Sequence, residues 1–404
     1  MNSNRFSRRS LMQATGAVAG GLAASRLMTG DGLLSRTAYG QVAGEKPALL
    51  VIYLSGGFNA VFGSADSFAP AGTFGVAAGN QRVLGGAGNL VIDAPTFGTM
   101  SPYTLGHMAT VGIRHGITAH GAAQNANFSN GTRSYGLQLA AVMGGDAAIK
   151  AVNVGTQMMP GPRPAESGVS LQQVNDMKST IAALGGATDP TIPDRTIGAK
   201  GITAAQKMSA DRLTANPVMM TGMRDGLQSG IDTLNKPVQA FNYGAMATAY
   251  GMAATATAVN NFTSKVAAAE LMITAGANFV VAVDGGWDTH GDRTATNVRN
   301  MMNTRILPPL KVFINRMMNL PDRNVVVAIL GDFNRSLPGS DHASALNSIV
   351  MGKYVKVGTT GKVSANVQLP AGTPTVPAFW SYLAKVLKVP SEPFGTNPHT
   401  SILV

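Results

Sequence analysis

Short apolar runs, each followed by glycine or polar residues, recur near both ends of the chain. Continuous runs rich in β-branched residues are typical of strands buried on both faces of a parallel sheet. Segments of helical character alternate with them, so we predict an α/β fold in which helices cover both faces of a mainly parallel sheet. The predicted strands are 47–54, a short one within 110–122, 148–154, 279–283 and 325–330. The predicted helices are 128–143, one or two within 240–276, 294–318 with an interruption near Pro308-Pro309, and 376–387.

The middle of the chain has a different character. Residues from about 156 to 240 carry many prolines and Gly-Gly or Gly-Ala breaks, which favour loops with short helices. We therefore predict a loop-rich cap or insert there. It interrupts one domain that spans residues 41–404.

The first forty residues have the architecture of an export signal. Ser7-Arg8-Arg9-Ser10 precedes a weakly apolar stretch, and Ala38-Tyr39-Gly40 resembles a cleavage site. The paired arginines indicate recognition by the twin-arginine export machinery and a periplasmic or extracellular protein. An amphipathic N-terminal helix is the alternative. Because no later segment reaches the roughly 18 apolar residues of a membrane span, we expect no integral membrane segment after signal removal.

The amino-acid composition limits the kinds of metal ligand and of partner that the chain can have. The chain has no cysteine, which excludes disulfides and thiolate ligands and leaves oxygen and imidazole donors. The net charge is +11, but the basic residues are dispersed rather than clustered. Nucleic-acid binding usually requires a basic patch, so we expect no nucleic-acid partner. A mildly basic surface suits an anionic substrate, either a small molecule or a polymer.

Ligand-type residues follow the predicted strands. Function gathers at the carboxyl ends of parallel strands, where neighbouring loops meet. The residues that follow these strands are Asn59, Asp288, His290, Asp332, Arg335, Asp341 and His342. Carboxylates and imidazoles converging there predict a site for a divalent metal: zinc, manganese, magnesium or calcium. Each of these residues could instead cap a turn through its side chain. The remaining histidines are expected to be structural (His107, His115, His120) or exposed (His399).

The motifs at these strand ends resemble those of DUF1501, an exported bacterial family of the alkaline phosphatase and sulfatase superfamily. The family pattern places Gly-Gly-x-Asp after a strand, followed by Ser-His-Phe, Trp-Asp-Thr-His, Ser-Glu-Phe-Gly-Arg and Asp-His-Gly. The resemblance covers roughly 47–155 and 270–400. The corresponding segments here are Gly56-Gly57-Phe58-Asn59, Ala126-Asn127-Phe128, Trp287-Asp288-Thr289-His290, Gly331-Asp332-Phe333-Asn334-Arg335 and Asp341-His342-Ala343.

The resemblance implies an alkaline phosphatase-like fold with two metal ions. One ion would bind Asp288, His290 and His342, and the other would lie near Asn59, Asn127 and Asp332. Arg335 would steady a substrate oxygen. Two such ions can stabilise both oxygens of an in-line displacement at phosphorus or sulfur.

This chain departs from the family pattern around the second ion. Asn59 replaces an aspartate and is a weaker ligand, and Ala126-Asn127 replaces Ser-His. Ser129, with Thr132 and Ser134 nearby, could supply a hydroxyl nucleophile, although surface residues at a helix start are the alternative. Two hypotheses follow: an exported metal-dependent hydrolase of phosphate or sulfate esters, or a catalytically degenerate exported member that acts in binding or surface assembly.

Overall fold

The computed structural model describes residues 45–57, 62–64, 78–145, 147, 149–183, 243–335, 340–363 and 368–404. The chain divides into two compact units, one of residues 40–180 with 243–404 and the other of residues 1–39 with 181–242. Only residues 181–183 of the second unit are described. The predicted export signal, Asn59 and residues 184–240 of the predicted insert lie outside the described residues.

Strands of the first unit form one large sheet and two small hairpins. They are β1 (Lys46–Leu54), β2 (Gln81–Gly85), β3 (Leu90–Asp93), β4 (Met108–Arg114), β5 (Ser129–Asn130), β6 (Arg133–Ser134), β7 (Ala151–Val154), β8 (Leu171–Val174), β9 (Phe279–Asp284), β10 (Arg323–Gly331), β11 (Ala345–Met351) and β12 (Gly358–Thr359). The large sheet has the order β12-β4-β11-β10-β1-β9-β7-β8. Only β11 runs antiparallel to its neighbours in that sheet, which confirms the predicted mainly parallel α/β fold.

The helices are mostly short. They are α1 (Pro102–Gly106), α2 (His120–Phe128), α3 (Tyr135–Met143), α4 (Met177–Ala183), α5 (Tyr243–Ala249), α6 (Phe262–Thr274), α7 (Thr296–Met301), α8 (Leu307–Met317) and α9 (Val376–Val386). A π-helical segment, Met302–Ile306, joins α7 to α8. The interruption predicted near Pro308-Pro309 is this segment. A proline cannot donate the backbone hydrogen bond of a regular helix, and here Leu307 N–H instead reaches back to the carbonyl of Met302.

The central strands are buried on both faces. Leu49, Val51 and Tyr53 of β1 pack in one core cluster with residues of α3 and α9, including Trp380. Their neighbours Leu50, Ile52 and Leu54 point to the opposite face and are also fully buried. Helix α6 contacts β9 and β7 on that face, and α8 packs on α6. Each fully buried aliphatic side chain contributes about 1.5–3 kcal/mol of transfer free energy, so β1 anchors both layers.

Two predicted boundaries differ from the structure. The helix predicted at 128–143 begins only at Tyr135, because β5 and β6 form a tight hairpin around Gly131-Thr132. Gly131, the first of the two loop residues, has a φ of +65°, a conformation that glycine adopts without steric cost. Strand β8 lies within the range predicted as an insert and pairs with β7, so the sheet extends into that range. No helix among the described residues is long and apolar enough to span a membrane.

Candidate metal centre

The strand register brings three loops together at one edge of the sheet. Leu54 lies beside Gly331 of β10 on one side and Asp284 of β9 on the other, so these strands end level with one another. Backbone bonds then join the loops. Ser55 N–H donates to the carbonyl of Asp284 at 2.8 Å, and Trp287 N–H donates to the carbonyl of Ser55 at 3.1 Å. Residues that follow these strands therefore lie side by side.

Four side chains converge at this edge. His120, Asp288, His290 and His342, named here the His–Asp cluster, each offer one ligand atom, and these four atoms lie within 4.8 Å of one another. His120 is the first residue of α2, while Asp288 and His290 follow β9. His342 precedes β11 and is linked to Arg335 by an isolated β-bridge. Three separate parts of the chain thus build the cluster.

Two histidines of the cluster bond an acceptor at Nδ1, and the third lies farther from one. His120 Nδ1 lies 2.7 Å from Oδ2 of Asp332, and His342 Nδ1 lies 2.6 Å from the carbonyl of Thr118. His290 Nδ1 lies 3.5 Å from Oδ1 of Asp341. A carbonyl or a carboxylate only accepts hydrogen bonds, so in the neutral rings of His120 and His342 the hydrogen sits on Nδ1 and Nε2 carries the lone pair. Nδ1 partners of this kind orient histidine ligands in metal sites.

The Nε2 atoms face one another and a carboxylate. Nε2 of His290 and Nε2 of His342 are 2.8 Å apart. Nε2 of His120 is buried without a hydrogen-bond partner and lies 3.5 Å from Oδ2 of Asp288. A buried polar atom without a partner is costly. A divalent cation would satisfy these lone pairs and the carboxylate together, so the donor set fits a metal ion.

Arg335 holds Asp288 in its ionised state. The Arg335 side chain is 0% exposed, and its guanidinium bonds to Oδ1 of Asp288 and to the carbonyls of Gly56 and Ser340. Burial acts to raise the pKa of the Asp288 carboxyl. The hydrogen bond and charge of Arg335, with His120 and His290, outweigh burial and hold that pKa below its usual value. The carboxylate is therefore available to a cation.

His342 is kept neutral by its surroundings. Burial lowers the pKa of the His342 ring, and the charges of Arg335, His120 and His290 act in the same direction, against the opposing bond to Thr118. Phe333 lies beneath the rings of His342 and His120, with ring centroids 4.3 Å and 4.9 Å away. A neutral imidazole is the form that binds metal.

The predicted site residues fall into two sets. Asp288, His290 and His342 lie in the cluster, whereas Asp332 and Asp341 contact its histidines at Nδ1. Asn127 donates its side-chain amide to the carbonyls of Gly331 and Asp332, at 3.0 and 3.2 Å.

The two residues predicted to be catalytic make other contacts. Ser129 Oγ donates to the carbonyl of Gly131 at 2.5 Å. The two terminal nitrogens of Arg335 bond to Asp288 and to two backbone carbonyls, while its Nε is buried without a hydrogen-bond partner. Asn59, a predicted ligand, lies outside the described residues.

Sequence reasoning missed His120, which was expected to be structural. A signal was present, because His120, Gln124 and Asn127 recur at helical spacing and one face of α2 turns all three toward Asp332. The prediction that His399 is exposed was wrong. Its relative exposure is 1%, because the C-terminal residues fold back beside Tyr382 and Tyr354.

Comparisons with known proteins give a distant structural similarity. No protein-family model matches this chain, and no curated protein matches it. The resemblance to DUF1501 therefore stays a hypothesis that rests on the quoted motifs. Among solved structures, the chain is similar to the alkaline phosphatase from the Antarctic bacterium TAB5, with a TM-score of 0.30 and 8% sequence identity over 85% of this chain and 99% of that chain.

Proposed function

We propose that this protein is a metal-dependent hydrolase of phosphate or sulfate esters, of the alkaline phosphatase and sulfatase type, with one divalent cation in the His–Asp cluster. The observation that carries the proposal is the convergence of three imidazole Nε2 atoms and the Asp288 carboxylate on one point, with Nδ1 of His120 and of His342 each bonded to an acceptor. The motifs Trp287-Asp288-Thr289-His290 and Asp341-His342 support the reaction class.

The donor set favours zinc over the other metals considered. Imidazole suits zinc and neighbouring transition metals, whereas magnesium and calcium prefer carboxylate, carbonyl and water oxygens. The His–Asp cluster offers three imidazoles and one carboxylate. We therefore expect zinc to bind more tightly than manganese, and magnesium or calcium to bind weakly.

The exposure of the cluster suits catalysis better than a purely structural role. Structural zinc sites are closed, while catalytic ones keep a position open to water and substrate. The Asp288 side chain is 51% exposed, and His290 is similarly open. A divalent cation bound there would polarise an ester oxygen as a Lewis acid. Water would add across the P–O or S–O bond and release an alcohol with phosphate or sulfate.

In this proposal Arg335 acts on the cluster rather than on substrate. Its guanidinium fixes Asp288 from the buried side, so Asp288 presents Oδ2 toward His120. Ser129 remains a candidate hydroxyl. Because its Oγ already donates to Gly131, we expect Ser129→Ala to retain turnover.

The test combines metal content with turnover. The purified full chain is analysed for bound metal and assayed on an aryl phosphate and an aryl sulfate with zinc, manganese, magnesium or calcium. We expect one equivalent of zinc and zinc-dependent hydrolysis, both lost when His290→Ala and His342→Ala are combined in a protein that still folds. Turnover that persists in the double variant, or no bound metal after reloading, would contradict the proposal.

A second candidate function is binding or surface assembly without catalysis. The observation that favours it is the engagement of Asp332 and Asn127 in hydrogen bonds within the protein, at the positions matched to a second ion. One tightly bound zinc with no turnover of either ester would support this function instead of the hydrolase.

A further inference from the structure

Asp332 is the most heavily hydrogen-bonded side chain around the His–Asp cluster. It lies one residue beyond β10, and its side chain is 0% exposed. The Tyr53 hydroxyl donates to its Oδ1. Its Oδ2 accepts from the backbone N–H of Gly56 at 3.2 Å, the Gln124 amide at 3.0 Å and His120 Nδ1 at 2.7 Å. A carboxylate oxygen has about two lone-pair sites, so Oδ2 has none left for a cation.

The bond from His120 has a direct consequence for that ring. Because Asp332 Oδ2 can only accept, Nδ1 of His120 carries the hydrogen and Nε2 keeps its lone pair. Gln124, one helical turn along α2, bonds the same oxygen and fixes the angle of the helix start against β10. The ring of His120 is thus held from both its Nδ1 and its helix.

We propose that Asp332 is a positioning residue, which fixes the orientation and tautomer of His120 so that Nε2 faces the cation, and that Asp332 does not itself bind the cation. This inference rests on the cation site of the proposed function. Carboxylates that hold a histidine ligand in this way raise its basicity, and their loss typically weakens metal affinity by about 10–100-fold.

Asp341 provides a matched comparison. It also faces a histidine of the cluster at Nδ1, but its carboxylate lies 3.5 Å from His290 and its side chain is 73% exposed. Exposed contacts of this kind contribute little. Asp332 should therefore control metal binding, while Asp341 should not.

The main experiment measures zinc affinity of the full chain by competition with a chromophoric chelator, for Asp332→Asn and Asp341→Asn. We expect affinity about 10–100-fold weaker for Asp332→Asn and within about threefold of the original for Asp341→Asn. Equal affinity for Asp332→Asn and the original protein, or an equal loss in both variants, would overturn the inference.

Cobalt separates positioning from direct binding. At saturating Co²⁺, the visible absorption of Asp332→Asn should keep the shape seen in the original protein, because its ligands are unchanged. A different coordination spectrum would mean that Asp332 is a ligand and would overturn the inference.

The tautomer of His120 tests the positioning role of Asp332 even if Asp332→Asn fails to fold. Long-range ¹H–¹⁵N spectra of the metal-free, histidine-labelled protein, assigned through His120→Asn, should show His120 with its hydrogen on Nδ1. A hydrogen on Nε2 would overturn the inference. If the protein hydrolyses neither ester but the results for Asp332 and His120 are as expected, the proposed function is rejected. The positioning role of Asp332 is then retained.

Discussion

Gly56 decides how closely the end of β1 approaches the loop that carries Asp288. Its φ is +121°, a conformation that residues with a side chain rarely adopt. A Cβ at this position would overlap the backbone nitrogen of Asp288 and the carbonyl carbon of Trp287. The Gly56 carbonyl also accepts from Arg335, and its N–H donates to Asp332. One small residue therefore sets the spacing of three loops at the candidate centre.

We predict that Gly56→Ala weakens zinc binding by about 10-fold or more, since the Cβ must push the Asp288 backbone away from the other ligands. The strained backbone should also lower the free energy of unfolding by about 1–3 kcal/mol. Zinc competition titration and urea unfolding measure the two effects on the same protein.

Gly286→Ala is the control for backbone strain alone. Gly286 has a φ of +86°, but a Cβ there would meet nothing within 4 Å. We expect this variant to lose stability while keeping its zinc affinity. If both variants lost the same affinity, the close approach at Gly56 would not be the cause.

Sequence could place three of the four clustered residues, because strand-end residues of a parallel sheet meet at one edge. His120 escaped prediction because the segment around it was interpreted as a strand and turn, whereas it begins α2. The roles of Asp332 and Arg335 depend on contacts across more than 40 residues of sequence, which local patterns do not contain.

The same distinction between local and distant contacts holds for whole elements. The boundaries of the apolar strands β1, β9 and β10 were predicted to within about two residues. These strands are buried on both faces, so each is a continuous hydrophobic run in the sequence. Strand β11 was missed because Asn347 and Ser348 interrupt its apolar run. Both are buried and satisfied by distant partners, with Ser348 Oγ donating to the carbonyl of Ile329 in β10.

The loop after β9 is held by a buried polar contact behind the candidate centre. Trp287 is 0% exposed, and its indole Nε1 donates to Oδ2 of Asp284 at 2.9 Å. Arg305, from the π-helical segment, donates Nε to the same oxygen at 2.9 Å. The end of β9, the loop that follows it and the π-helical segment are thus tied together through Asp284.

We predict that Trp287→Phe lowers the free energy of unfolding by about 1–3 kcal/mol, because it removes a hydrogen bond to a buried carboxylate and leaves a small cavity. Because the loop is then no longer bonded to Asp284, we also expect the zinc affinity of the variant to fall about 10-fold. Chemical denaturation and zinc competition measure the two quantities.

Trp380→Phe is the matched control for Trp287→Phe. Trp380 is also fully buried and donates Nε1 to one acceptor, the carbonyl of Asn127 at 3.0 Å, but it lies in the core beside α3. We expect a similar loss of stability with less effect on zinc. Equal losses of zinc affinity would assign the effect to global destabilisation rather than to the loop.

At the scale of the whole molecule, the C-terminal residues pack against the core, although their composition indicated an exposed loop. Ile402 is fully buried, and its carbonyl accepts from the Tyr382 hydroxyl at 3.1 Å. The backbone of Lys356 also donates to Ile402, and Val404 donates to Tyr354. His399 is enclosed by this packing, and burial lowers the pKa of its ring to about 4.

The buried His399 should make global stability depend on pH. The unfolded chain, in which a histidine has a pKa of about 6.5, binds the proton more readily than the folded protein does. The contribution is therefore fully present above about pH 6.5 and is lost as pH falls toward about 4. Between pH 7 and 5 we expect the original protein to lose about 2 kcal/mol more than His399→Gln in urea unfolding. The control is His107→Gln, at a partly exposed histidine, which we expect to lose as much stability between pH 7 and 5 as the original protein. If the free energy of unfolding fell equally with pH in the original protein and in His399→Gln, His399 would not couple folding to protonation.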